Sequence, residues 1–301
     1  MKIAVAGGTG FLGRHIAARL IAADHEVAVL SRSPSKVAGI SGLDSVRAIA
    51  GDVTQPDSLK GILDGIDGVV VAVQFPNHPV EVPRKGLTYD RYDRWGTENL
   101  LSAARASGVG RFFYVSGAGA DPRSDKSWYR AKGVAERSIR SSDIEWAILR
   151  PSWAYGPEDR ALNRIAEIAR FSPVVPRLGL ARQVIQPVWV GDIAETVARV
   201  FELDESWGRV YEIGGPQVIS MDDVVRCLLK VMGRKRLVVP IPAPLAKMGT
   251  APLRMLPSPP MTPQGIEFAT QDGLVDLTAV RALGIEPVDL EEGLRHYMKA
   301  A

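Results

Sequence analysis

The segment Gly7-Gly8-Thr9-Gly10-Phe11-Leu12-Gly13 follows a short apolar run, Lys2 to Ala6, and opens a stretch with helical spacing. Glycines at these intervals suit one task, which is holding a pyrophosphate. Gly7 or Gly8 turns the chain sharply out of a strand. Gly10 lets the backbone come up to the phosphates, and Gly13 lets the helix pack closely behind it. The anion then meets free N–H groups and the positive end of the helix dipole. Thr9, Phe11 and Leu12 line the same turn. A bare glycine triplet is weak evidence, but between a strand and a helix it predicts a dinucleotide site.

The residues after the second apolar run, Glu26 to Leu30, select the dinucleotide. NAD-binding chains place a carboxylate about 20 residues after the glycines, to bond the ribose 2′-hydroxyl. Here the run ends in Ser31-Arg32-Ser33, with no carboxylate. A guanidinium can meet a 2′-phosphate with two parallel hydrogen bonds. The expectation is NADP(H) in preference to NAD(H), with Ser31 and Arg32 at the phosphate. A solvated loop arginine is the other reading of Arg32. Asp52 and Val53, after the third run, are expected to flank the adenine. Ala72, Val73 and Gln74, after the fourth, border the cofactor.

These residues need a frame, and the rest of the chain supplies one. Helical spacing from Phe11 to Ala23 precedes Glu26–Leu30. Further strand-like runs span 46–50, 68–73, 111–115 and 145–149, with helices expected over 55–63, 97–106 and 128–141. Strands alternating with helices imply right-handed crossovers and an α/β, doubly wound parallel sheet of the Rossmann type. After Arg150-Pro151 the texture becomes rich in proline and glycine. Two segments return to the core: 186–190 with a helix over 192–203, and the strand 209–213. The expected division is a dinucleotide-binding domain of 1–155 plus 184–215, and a smaller, discontinuous, mostly helical lobe of 156–183 plus 216–301. The apolar, proline-rich stretch from Leu237 through Met261 is a candidate substrate-side wall, and ordinary packing of the lobe is the equal alternative.

Composition excludes several classes. The chain has 301 residues, a formal net charge of +3, and scattered basic residues with no long block. That pattern gives no footprint for nucleic acid. The single cysteine, Cys227, rules out an intrachain disulfide and a cysteine-based zinc site, and reads as a buried structural thiol. His15, His25, His78 and His296 show no metal-ligand spacing. No run reaches the ~18 apolar residues that a membrane span requires, and the N-terminus is not a signal peptide, so a cytoplasmic location is expected.

Taken together, the glycine turn, Trp95-Gly96-Thr97-Glu98-Asn99-Leu100-Leu101, Leu149 to Pro157, Pro187 to Ala194 and Tyr211 to Pro216 resemble the short-chain dehydrogenase/reductase superfamily in its extended and atypical branches. The likeness covers nearly the whole chain. Val115 to Asp121, Leu237 to Pro242 and Met261 to Asp276 are similar to the dehydrogenase-like accessory subunit of respiratory complex I and its bacterial relatives. That resemblance implies cofactor binding, often without clear redox turnover, and leaves a protein partner open. It also implies that Pro151, Ser152 and Trp153 close over the nicotinamide.

Redox members of the superfamily use Tyr-x-x-x-Lys with a Ser or Thr: the tyrosine is the acid/base, and the lysine holds the ribose and lowers the tyrosine's pKa. The matching lysine is Lys132. Trp128 stands where the tyrosine belongs, and an indole cannot exchange a proton at neutral pH. Tyr129 is one residue out of register, about 100° around the helix. Ser116 sits at the strand end, but the hydroxyl position falls on Gly117 or Ala118. Gln74, Gly117, Ala118 and Trp128 are therefore expected on the substrate side. Three readings stay open. Lys132 orders the ribose in a structural or sensing protein; Lys132 is itself the proton donor; or Tyr129 swings in. The corresponding functions are a reductase of a small apolar carbonyl, enone or quinone, and a cofactor-binding assembly or regulatory protein. A sugar-nucleotide epimerase or dehydratase is the weaker third option.

Overall fold

The computed structural model describes residues 1–43, 46–178, 183–241 and 273–298. Strands β1 (Lys2–Ala6), β2 (Glu26–Ser31), β3 (Arg47–Ala50), β4 (Gly68–Val71), β5 (Arg111–Val115), β6 (Glu145–Pro151) and β11 (Arg209–Ile213) make a single sheet. Its spatial order is β11-β6-β5-β4-β1-β2-β3. Every neighbouring pair is parallel, with Ala6 beside both Leu30 and Val71. The chain builds outward from β1 to β3, crosses back to β4, and then builds the other way. The carboxyl ends of β1 and β4 are thus the switch point, where a doubly wound sheet leaves a crevice.

Alternation along the strands feeds two apolar layers. Ile3, Val5, Val29, Val70 and Phe113 pack on one face with Ile16 and Leu20 of α1 (Phe11–Ala22) and Ile193 and Val197 of α5 (Val190–Glu202). Ala4, Ala6, Val69, Val71, Phe112 and Tyr114 pack on the other with Leu100 and Ala104 of α2 (Gly96–Ala106) and Ala135 and Ile139 of α3 (Ser127–Arg140). Strands buried on both sides explain why these runs read as continuously apolar.

A separate apolar cluster joins Leu162 and Ala166 of α4 (Ala161–Phe171), Val224 and Leu228 of α6 (Met221–Val231), and Leu290 and Leu294 of α8 (Leu290–Arg295). A capping box starts α6: the Ser220 hydroxyl accepts from the Asp223 N–H while the Asp223 carboxylate accepts from the Ser220 N–H. Cys227 is half-buried there, and burial pushes its thiol pKa up.

Several expectations shift. The helix anticipated over 55–63 is a single 3₁₀ turn, Pro56–Leu59. Gly61 and Gly65 take left-handed φ of 68° and 74°, which end any helix there. The run 186–190 contributes only Val188–Trp189, paired with Ala154–Tyr155 outside the main sheet. The segment before α2 ends in a π-helical turn, Asp90–Trp95. In the Leu237–Met261 stretch, Leu237–Ile241 is strand β13, beside β8 (Val174–Leu178), and the remainder lies outside the described residues. No described helix is long and apolar enough to cross a membrane.

Candidate functional site

The glycine turn sits at the carboxyl end of β1. Gly7 takes φ 83°, and a Cβ there would stand 2.6 Å from the Ala72 carbonyl oxygen. It is therefore Gly7 that makes the tight turn. The Gly10 N–H closes it on the Gly7 carbonyl at 2.8 Å. Gly10 then serves as N-cap of α1 with no side chain to offer, and the first turn carries no acidic residue. The helix dipole and its unpaired N–H groups are left for an outside anion. Arg14 braces the turn, donating from Nη2 to the Thr9 carbonyl (3.1 Å) and from Nε to the Gly10 carbonyl (3.3 Å). Phe11 packs toward Gly156, where a Cβ would meet its ring at 3.0 Å, and Leu12 joins the α1-side core.

At the carboxyl end of β2, the Ser31 hydroxyl accepts from the Ser33 N–H (3.1 Å), and the exposed Arg32 places its guanidinium 6.0 Å from the centre of the Tyr92 ring. Asp52 accepts from the Thr54 N–H (2.8 Å), forming a local turn, and the Asn99 amide donates to the Val53 carbonyl (2.8 Å). These contacts fix the floor between β2 and β3.

Toward the other end, the Ala72 N–H bonds the Ala6 carbonyl (2.9 Å), and the chain passes through Val73 to the exposed Gln74. Phe75 turns inward. Its N–H donates to Asp93 Oδ2 (3.0 Å), and Asp93, in the π turn, is fully buried. The other carboxylate oxygen, Oδ1, lies 3.2 Å from Lys132 Nζ. The ammonium also stands 5.5 Å from the centre of the Tyr114 ring. Burial works to lower the Lys132 pKa, but the groups facing it, with Asp93 foremost among those charged near neutrality, more than offset it, so the net direction is upward. Lys132 is thus a permanent cation at neutral pH.

Trp128 is buried in a cluster with Phe75, Tyr89, Tyr92 and Ala131. Tyr129 packs at the edge of the same cluster, its ring centre 5.6 Å from that of Trp128; a Cβ on Gly119 would meet the ring at 2.9 Å, and Lys126 Nζ is 5.8 Å from its centre. Gly117 faces the Lys132 stem, where a Cβ would stand 3.6 Å from Cδ, and the Ala118 N–H bonds the Pro151 carbonyl (2.9 Å). The Ser116 hydroxyl donates to Glu136 Oε1 (2.5 Å), a carboxylate that also takes two hydrogen bonds from Arg150 (3.0 and 2.6 Å). Its side chain is engaged in a buried polar network rather than offered to a ligand. Ser152 donates to the Gly273 carbonyl (2.6 Å), and the Trp153 carbonyl accepts from the Val188 N–H (3.0 Å).

Thus Gly7, Thr9, Gly10, Ala72, Gly117 and Lys132 gather along the carboxyl edge of the sheet. Sequence reasoning missed Asp93 as the lysine's partner, and it missed the Glu81 clips: Glu81 accepts from the Tyr89 N–H (2.8 Å) and from the Ser127 hydroxyl (2.7 Å). Both carboxylates fasten the segment after β4 to the start of α3. The spacing of the sequence carries no signal for either contact, because each depends on where the segment folds back. The His78 ring accepts or donates at Nδ1 to the Tyr89 hydroxyl (2.6 Å), and burial, aided by the charge of Lys132, depresses its pKa to about 4.

The chain is 28% identical over 298 residues to NADH dehydrogenase [ubiquinone] 1 alpha subcomplex subunit 9, mitochondrial, of Arabidopsis thaliana, covering 95% of this chain and 73% of that one. It is 27% identical over 333 residues to 2-alkyl-3-oxoalkanoate reductase of Stenotrophomonas maltophilia, covering 98% of each. In three dimensions it matches UDP-glucose 4-epimerase of Thermotoga maritima with a TM-score of 0.77 at 20% identity, covering 99% of this chain and 98% of that one, a likeness of fold. A family model described as NAD(P)H-binding matches residues 7–188, the stretch that carries the glycine turn, the switch point and Lys132. The chain belongs to this NAD(P)H-binding family, on a Rossmann-like α/β fold.

Proposed function

We propose that the protein binds NADP(H) and holds it without the usual acid/base turnover of its superfamily, as a cofactor-carrying assembly or regulatory protein. The Lys132–Asp93 pair carries this reading, because it stands in a site whose tyrosine position is filled by the buried Trp128. A lysine whose pKa is raised by a carboxylate is a poor proton donor near neutral pH, where the best general acids titrate. It is a good ribose ligand. The glycine turn would hold the pyrophosphate, Arg32 the 2′-phosphate, and Lys132 the nicotinamide ribose. When bound, the cofactor supplies a transferable hydride. The likeness to a mitochondrial complex I subunit supports the reading by analogy.

One comparison favours a second reading, a reductase of a small apolar carbonyl: the likeness to 2-alkyl-3-oxoalkanoate reductase extends over 98% of both chains. The aromatic side chains of Phe75, Tyr89 and Trp128 would lie beside such a substrate's pocket. Calorimetric titration with NADPH, followed by steady-state NADPH oxidation against aldehydes, 3-oxo acids and quinones, separates the two. Tight binding with no turnover across the panel supports the first reading. Turnover that Lys132→Ala abolishes overturns it in favour of the second, and absence of NADPH binding ends both.

A further inference from the structure

Asp93 lies in the π-helical turn Asp90–Trp95, an unusual geometry in which one residue is inserted into the helical ladder. The turn is held from both sides. The Thr97 hydroxyl donates to the Asp93 carbonyl (2.7 Å), and the Asp93 carboxylate reaches out to two other elements. One oxygen takes the Phe75 N–H from the segment following β4, and the other faces Lys132 Nζ on α3. A wholly buried carboxylate is costly unless paired and hydrogen-bonded, and here it has both kinds of partner. Lys132 has the converse need: its side chain is mostly shielded from water, and a buried ammonium is costly unless an anion faces it.

We propose that Asp93 is a positioning residue of the cofactor site, fixing Lys132 as an ammonium and clipping the chain after β4 against α3. The proposal rests on the reading that Lys132 holds the nicotinamide ribose, and it adds the residue through which that lysine is oriented and kept charged. The titratable groups around the ammonium are Asp93 from the π turn, Tyr114 from β5, Glu136 from its own helix and His78 from the segment after β4. Tyr114 is pushed up to about 12 by burial, so it stays neutral in the working range. His78 is neutral above about pH 4. Glu136 is already taken by Ser116 and Arg150. Asp93 is the one carboxylate in direct contact with the ammonium among the described residues.

The test is the pH dependence of NADPH affinity between pH 7 and 9.5, above the range in which a phosphate ester titrates, at roughly pH 6. Wild type should vary by less than about threefold across this span, because Lys132 stays charged. In Asp93→Asn, burial acts on the lysine with less opposition, its pKa falls, and affinity should drop at least ~10-fold from pH 7 to 9.5. In a Lys132→Met background, Asp93→Asn should change affinity less than about twofold, since its effect passes through the lysine. A flat profile in Asp93→Asn, or additive losses in the double variant, overturns the proposal. If Asp93→Asn does not fold, the wild-type profile still decides: a tenfold weakening by pH 9.5 would show that Lys132 is not held charged. Unchanged NADPH affinity in Lys132→Met would instead sink the ribose reading on which the proposal stands.

Discussion

A Cβ placed on Gly13 would stand 2.2 Å from the Gly7 carbonyl oxygen, so helix α1 can follow strand β1 this closely only because Gly13 lacks a side chain. The obstruction is backbone, which cannot swing aside as a flexible side chain can. Gly13→Ala should therefore destabilise the fold by about 1–3 kcal/mol, the usual range for overpacking. Gly10 differs. A Cβ there meets only the Gly7 carbonyl, at 3.1 Å, and its φ of −81° suits any residue. Gly10→Val should keep nearly all its stability and lose NADPH binding, because the new side chain occupies the phosphate position. Paired denaturation curves and calorimetry on the two variants check this separation. Retained NADPH binding in Gly10→Val would remove the glycine turn from the site.

The exposed Arg32 leans over Tyr92 rather than into a carboxylate, and is free to turn toward a 2′-phosphate. A charge-assisted contact is worth about 1.5–3 kcal/mol. Arg32→Ala should lose that much affinity for NADPH and almost none for NADH. Calorimetry with both cofactors measures it directly, and equal losses for the two would mean that Arg32 does not read the phosphate.

How legible was this arrangement in the chain? The inner sheet strands were visible because burial on both faces leaves an apolar run, the edge strands β3 and β11 by their place in the alternation of strands and helices, and the turn because Gly7, Gly10 and Gly13 each answer a local backbone demand. The segment from Gln74 to Arg94 was not. Its polar and aromatic residues follow no clear period, yet Tyr89 and Asp93 are buried. A π turn differs from an α turn by one inserted residue and leaves no periodic trace in sequence. Asp93 is also polar, so its burial is intelligible only once Lys132 and the Phe75 N–H are seen beside it. Long-range pairing of charges is a property of the folded chain. The polar network of Ser116, Glu136 and Arg150 escaped for the same reason.

Two partly buried groups should shape stability below neutrality in opposite senses. His78 is depressed to about 4 by burial, aided by Lys132, against an ordinary value of 6.5. Its contribution is complete above pH 6.5 and is lost as pH falls toward 4, because the unfolded chain takes up the proton first; the full effect is on the order of 3 kcal/mol. Asp192 is raised to about 6 by burial, against 3.8. Its contribution is complete below pH 3.8 and is lost as pH rises through 6, again on the order of 3 kcal/mol. The two nearly cancel in wild type between pH 6.5 and 4. Asp192→Asn should therefore expose a steeper acid loss, and His78→Gln a gain in stability on mild acidification. Urea denaturation at half-unit pH steps reads both slopes, and parallel profiles for wild type and both variants would refute the assignment.

Removal of Lys132 gives the sharpest stability test, because the buried and exposed cases of an ion pair differ so much in magnitude. An exposed pair contributes at most about 1 kcal/mol. Breaking a buried pair by deleting one partner costs about 3–5 kcal/mol, because the other charge is stranded. Asp93 is fully buried, and the Lys132 side chain is only 15% exposed. Burial pushes the Asp93 carboxyl up, and Lys132 is the strongest influence holding it down. Lys132→Met should therefore lose about 3–5 kcal/mol at pH 7, toward the lower figure because the Phe75 N–H remains. The freed carboxyl then titrates at a raised pH in the folded chain. A raised carboxyl stabilises the fold only in its protonated form, so the deficit of the variant should shrink as pH is lowered from 7 to 5. Adding Asp93→Asn should recover much of the loss at pH 7, since no buried charge is left unpaired. A loss under 1 kcal/mol in Lys132→Met, unaltered by pH, would mean that the pair is as solvated as a surface bridge.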